Sequence, residues 1–186
     1  MHPHRGKIIT LAVTAALLAV PLVAMQFSAE VNWSLADFVV AGALLMGCGL
    51  TIDFVARRSR DIAFKSGVVV AVGTGLLLTW VNLAVGIIGN EDNPANFMYS
   101  TVILIGVVGC GAAGFRARGM SRALFATAAA QLLVPVIAVL IWHPPMDEGL
   151  FKTFVLNTNF AVLFVGAALL FRRASMPSDA AAANPR

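Results

Sequence analysis

Between Trp80 and Asn96 the chain reads WVNLAVGIIGNEDNPAN. An apolar run ends there in a knot of amides and carboxylates, and a second apolar run starts at Phe97. The knot is either the turn between two membrane-spanning helices or a polar binding site, and that choice decides the fold. Local chemistry favours the turn. Gly89-Asn90 stops the preceding segment, Asn93 is a good helix N-cap, and Pro94 suits the first helical turn. Glu91 and Asp92 then lie near a helix N-terminus, where the dipole favours negative charge. The functional alternative is a cation or polar-ligand site at the outer mouth, built from Glu30, Glu91, Asp92 and Asp147 with His143. Oxygen-rich loops bind hard cations, yet no spacing here matches a known metal loop.

Outward from this junction the chain is mostly lipid-soluble. It is 59% apolar and 12% charged, against about 25% charged for a soluble domain, and its mean hydropathy is +0.86. The apolar residues come in blocks about 20 residues long, the length that crosses a bilayer core as helix. Six segments qualify: 8–27, 35–56, 66–89, 96–115, 121–142 and 149–171. A barrel would need alternating polarity, which these blocks lack, and lipid permits no other backbone arrangement. The expected fold is an all-α, polytopic transmembrane helical bundle of six spans, one domain over residues 1–173. The Ala/Pro/Ser-rich segment 174–186 reads as a disordered cytoplasmic tail.

The charge map orients the bundle. With the N-terminus inside, every Lys and Arg except Lys152 falls on the inner side, in clusters around Arg5-Lys7, Arg57–Lys65, Arg116–Arg122 and Arg172-Arg173. Glu30, Glu91, Asp92, Asp147 and Glu148 fall outside, as the positive-inside rule expects. Trp33, Trp80, Tyr99 and Trp142 lie near the outer interface. The net charge of +4 therefore reads as membrane orientation, and no nucleic-acid partner is expected. The first block follows His4-Arg5-Gly6-Lys7 and resembles a signal peptide, but a cut after Ala29 would place bulky Phe27 at a position that wants a small residue. It reads as an uncleaved span.

Several polar residues fall inside spans. Gly75, Thr79, Asn82, Gly86 and Gly89 recur at alternating spacings of four and three, as do Leu124, Ala128, Gln131, Pro135 and Ala138. Each set forms one small and polar stripe on a helix, and such stripes let membrane helices approach and hydrogen-bond. Asn82 and Gln131 should therefore face the bundle interior. Pro135 should kink span 5 and free a carbonyl. Asn157-Thr158-Asn159 interrupts the sixth span. From Asn159 to Arg172 is only about 20 Å of helix, so that helix must begin near Gly149, with Lys152 snorkelling outward, and two asparagines are expected inside. Asn82, Gln131, Asn157 and Asn159 serve either packing or a path for a polar solute. Ser34 to Asp37 fits a capping box at the start of span 2, and Asp53 should pair with Arg57 one turn on.

Chemistry is sparse. No acidic or basic residue falls near a midplane, where an ion pump normally carries one. Cys48 and Cys110 lie among glycines and read as small packing residues. No zinc-protease, nucleophile-elbow or phosphate-loop motif is present. No catalytic residue, cofactor or metal site is expected.

PLVAMQFSAEVNWSLADFVVAGALL and WVNLAVGIIGNEDNPANFMY resemble segments of a family of small bacterial inner-membrane proteins of uncharacterised function. The resemblance runs from about Pro21 to Trp142 and implies a bacterial inner (plasma) membrane location, with no activity attached. The expected role is a non-enzymatic accessory or scaffold protein whose partners are the lipid bilayer and other membrane proteins. The alternative is a small transporter or channel for a polar solute lined by the intramembrane amides.

Overall fold

The computed structural model describes residues 3–28, 31–143 and 148–176. Six α-helices and one 3-10 turn occur among them, with no strand. They are α1 (Pro3–Phe27), α2 (Leu35–Ala56), α3 (Ile62–Ala84), the 3-10 turn Pro94–Asn96, α4 (Phe97–Ala112), α5 (Ala117–Trp142) and α6 (Glu148–Ala174). All six are long and apolar enough to cross a membrane, α4 when taken with its 3-10 turn. The protein is an all-α, multi-pass integral membrane protein. Large apolar side chains point outward along the helices, as lipid-facing surface requires. Val20 of α1 is 64% exposed and Leu140 of α5 is 67% exposed. The tail beyond Met176 and the carboxylates Glu30 and Asp147 lie outside the described residues.

Contacts divide the chain into two compact units, residues 1–57 and 58–186. The first is the hairpin of α1 and α2. Thr10 and Thr14 of α1 are buried, and a Cβ on Gly49 of α2 would run into the Thr10 side chain. At the start of α2, Ser34 N donates to Asp37 Oδ2 (2.7 Å) and Asp37 N donates to Ser34 Oγ (3.3 Å). That is the expected capping box, satisfying two backbone donors that the helix cannot. At its other end Arg57 Nη2 meets Asp53 Oδ1 at 2.8 Å, the expected i,i+4 pair.

The second unit is a four-helix bundle. α6 packs on α5 and α3, α4 packs on α5, and a smaller α3–α4 contact closes the ring. Glycines set the spacing between α4 and α5. A Cβ on Gly109 would lie 2.8 Å from Ala123 Cβ, and one on Gly106 would lie 3.1 Å from Thr127 Oγ1. Near the arginine-bearing end, the rings of Phe64 (α3) and Phe171 (α6) meet edge to face with centroids 5.2 Å apart. α3 begins at Ile62, capped by Asp61, whose Oδ1 accepts from Phe64 N (2.8 Å).

Two expectations need correction. α3 stops at Ala84 instead of running to Gly89, because Gly86 and Gly89 adopt positive φ (68° and 71°) that helical backbone excludes. The stripe of small residues read through span 3 therefore ends at Asn82, and Gly86 and Gly89 belong to the loop. The two asparagines of span 6 are not both inside. Residues two apart on an α-helix lie about 200° apart, so Asn157 is fully buried while Asn159 is exposed. α5 runs from Ala117 to Trp142 with Pro135 inside it. Proline has no N–H, so the carbonyl left without its helical donor is that of Gln131, four residues earlier.

Candidate functional site

Within the four-helix unit, the polar side chains of α4, α5 and α6 meet in one buried cluster. Gln131 lies near the middle of α5, on the stripe that also buries Leu124, Ala128, Pro135 and Ala138. Its Nε2 donates to Asn157 Oδ1 of α6 at 2.9 Å. Asn157 Nδ2 donates in turn to the Tyr99 hydroxyl of α4 (2.9 Å) and to the Thr153 carbonyl of its own helix (2.8 Å). Gln131 and Asn157 are both 0% exposed, and Tyr99 is 1% exposed. Three helices are thus cross-linked by amide and phenol groups in a region where lipid supplies no competing water.

A second cluster explains the stretch from Trp80 to Asn96. Its hub is Asn96, the last residue of the 3-10 turn, which is buried. Asn96 Oδ1 accepts from Ile87 N (3.1 Å) and Ile88 N (2.9 Å). Asn96 Nδ2 donates to Ile88 O (3.3 Å) and Asn90 O (2.6 Å). One amide thereby satisfies four backbone groups of a loop that neither helix can serve. Asn82 Nδ2, from α3, donates to Asn96 O at 3.3 Å, and Asn93 caps the turn by accepting from Ala95 N (2.9 Å). Thr153 Oγ1 of α6 donates to Ile87 O (3.1 Å). The loop is thereby tied to the helix that carries Asn157.

The four amides singled out by sequence therefore fall in three places. Gln131 and Asn157 are bonded to each other. Asn82 belongs to the loop cluster. Asn159 is exposed on the opposite face of α6 and makes no side-chain hydrogen bond among the described residues. Two buried acceptors, Asn82 Oδ1 and Gln131 Oε1, have no hydrogen-bond partner among the described residues. Of the acidic set, Glu91 and Asp92 are exposed in the α3–α4 loop, while Glu30 and Asp147 lie outside the described residues. No group of three or more His, Cys, Asp or Glu side chains able to hold a metal occurs among the described residues. Cys48 and Cys110 are free thiols, each half-buried.

Asn96 and Thr153 are contributors that the sequence reading did not single out, and Tyr99, read there as an interfacial aromatic, is instead buried in the bundle and bonded to Asn157. For Tyr99 and Thr153 a signal existed. Tyr99, Val102, Gly106 and Gly109 repeat at spacings of three, four and three; Tyr99 and Val102 are buried, and Gly106 and Gly109 approach α5. Thr153, Asn157, Phe160, Phe164, Ala167 and Phe171 repeat in the same way, and all are buried on α6. Compared with models of protein families, with curated proteins and with solved structures, the chain matches none.

Proposed function

We propose that this protein is a non-enzymatic accessory or scaffold protein that binds other membrane proteins through its helix surfaces. The observation that carries the reading is the division of labour on α6. The amide facing inward, Asn157, spends both ends of its side chain on neighbours within the chain. The amide facing outward, Asn159, has no such neighbour and sits in an apolar span. Val155, Asn159, Val162, Gly166 and Leu169 repeat at spacings of four and three, and all are exposed except half-exposed Gly166. A Cβ on Gly166 would meet nothing within 4 Å. A polar residue and a glycine on one lipid-facing stripe are the features that a second transmembrane helix packs against. The positive-inside charge map and the resemblance noted above support a bacterial inner membrane with both termini in the cytoplasm.

The test is gentle detergent extraction from native membranes, followed by the mass and composition of the complex. A stoichiometric partner that Asn159→Leu displaces is the expected result. A protein that extracts alone and carries a solute unaided into liposomes would overturn the proposal. The second reading, a small transporter or channel, draws on the two unpartnered acceptors Asn82 Oδ1 and Gln131 Oε1, where a passing polar solute would find hydrogen-bonding capacity. Under that reading, replacing Asn82 and Gln131 with Leu abolishes flux at unchanged protein yield.

A further inference from the structure

The amide clusters lie away from the ends of α5 and α6 that carry arginines, and a different feature occupies those ends. A cavity of about 390 Å³ lies there, lined by Arg118, Ser121, Arg122 and Phe125 from α5 and by Arg172 and Met176 from the end of α6. Three arginines line this space, all of them exposed, and no carboxylate lines it. None of the three takes part in the ion pairs Arg57–Asp53 and Lys152–Glu148. An anion placed among the three arginines would meet positive charge from both helices. Ser121 is only 5% exposed. It lines the cavity, and its hydroxyl can serve as a donor there. α5 also starts without help, since its N-cap, Arg116, makes no side-chain capping bond. The N–H groups of its first turn therefore add donors and positive dipole beside the arginines.

We infer that this cavity binds the phosphate headgroup of an anionic phospholipid. Guanidiniums present paired donors in a fork that fits phosphate oxygens, and a hydroxyl and a helix N-terminus complete the donor set. The cavity is also placed for a lipid. Phe125, one turn deeper along α5, is 37% exposed, and beyond it Leu132 (46%) and Leu169 (49%) present apolar surface toward the membrane interior. A headgroup held by the arginines leaves its acyl chains against those side chains. A soluble phosphate would use only the polar end of this arrangement. Basic pockets between transmembrane helices bind anionic headgroups by the same physics.

The positive-inside rule alone would also place arginines here, so the test must separate charge from a built site. The full-length protein is reconstituted in phosphatidylcholine vesicles containing a minor fraction of phosphatidylglycerol or cardiolipin. Lipid retained after detergent extraction is then counted by native mass spectrometry. Native protein is expected to retain anionic lipid, and the Arg118→Gln/Arg122→Gln/Arg172→Gln variant should lose about 100-fold in retention, roughly 5-fold for each guanidinium–phosphate bond removed. Arg118→Lys/Arg122→Lys/Arg172→Lys keeps the charge, and with it the topology, but lacks the fork, so it should also lose most of the retention. Ser121→Ala should weaken retention about 3-fold, one modest hydrogen bond. Arg60→Gln/Arg173→Gln, which removes interfacial charge outside the cavity, should retain lipid as the native protein does. Equal retention by the lysine variant, or equal loss in the Arg60/Arg173 control, would reduce the cavity to diffuse charge and overturn the proposal. Displacement of the lipid by inorganic phosphate, with phosphate then bound alone, would make the occupant a soluble anion and overturn it as well.

Discussion

The Gln131–Asn157 pair decides between packing and a solute path, and its energetics give opposite answers for the two. Asn157→Leu removes the bonds to Gln131 and Tyr99 at a similar side-chain volume. Interhelical bonds in membranes contribute about 0.6–1.7 kcal/mol each, so the loss should be about 1–3 kcal/mol. Gln131→Leu should cost less. It breaks one bond and leaves Asn157 Oδ1 unpaired, yet it also removes an acceptor, Oε1, that has no partner among the described residues. We expect about 0.5–1 kcal/mol, because one orphaned acceptor replaces another and only the net contribution of one bond is lost. The informative step is the double variant. Once Asn157 is gone, the whole Gln131 amide is an orphan in a dry interior, and replacing it with Leu should restore about 1 kcal/mol. Gln131→Leu should thus change from slightly destabilising to stabilising when Asn157 is absent.

Reversible unfolding in bicelles, followed by the fluorescence of the three tryptophans, measures all four corners of this cycle. A coupling of about 1–2 kcal/mol is the expected value for directly bonded neighbours. A water-filled path would hydrate both amides independently, so the four values would add to within about 0.5 kcal/mol. Additivity of that kind would refute the reasoning, and with it the view that these amides hold the helices together.

Further outcomes follow from the loop and the helix contacts. Asn96→Ala strips four backbone groups of their partner and should cost about 2–3 kcal/mol, with limited proteolysis opening between residues 85 and 96. Gly86→Ala should cost about 1–3 kcal/mol in the same unfolding assay, because φ is +68° and the added Cβ would strike the Asn90 carbonyl. Gly89→Ala should cost less, since its near neighbour is the movable Asn93 side chain at 3.0 Å. Gly109→Ala should cost about 1–3 kcal/mol by overpacking α4 against α5, and Ala123→Gly in the same chain should recover most of it. An unchanged cost in that double variant would place the strain elsewhere.

What was legible in the sequence follows from what hydropathy and spacing measure. α2 occupies Leu35–Ala56, the segment expected, because a capping box marks its start and Arg57 its end. α3 misled at its C-terminal end because Val85, Ile87 and Ile88 are as apolar as any helix residue. Hydropathy reports the preferred solvent and not the backbone conformation, and Ile87 is indeed buried, but in a loop. The positive φ of Gly86 is the deciding fact there, and a glycine in sequence does not announce it. The spacing rule found the buried face of α5, and it identifies those of α4 and α6 equally well. That Gln131 meets Asn157, and not Asn82, depends on which helices adjoin and at what register, which no single helix encodes. Asn96 was the least legible residue. Its four bonds exist only once the chain has folded back at Gly86, so its role is a property of the loop's shape.

Taken together, the inward-facing amides and the outward-facing Asn159 separate two uses of the same chemistry. An amide inside a bundle is explained when the bonds it makes are internal, and Asn157 and Asn96 meet that condition. Each would be retained in a protein with no partner and no substrate, because removing it leaves other buried groups unpaired. Asn159 is different. It makes no side-chain hydrogen bond within the described chain, so its replacement by Leu removes a desolvation cost from the monomer without breaking any internal bond. If stability alone shaped this surface, Leu would be the better residue. The same substitution that should weaken the fold at position 157 should leave it intact or strengthened at position 159. A loss of association on Asn159→Leu, in a chain that folds at least as well as before, would then be a loss of function and not of structure.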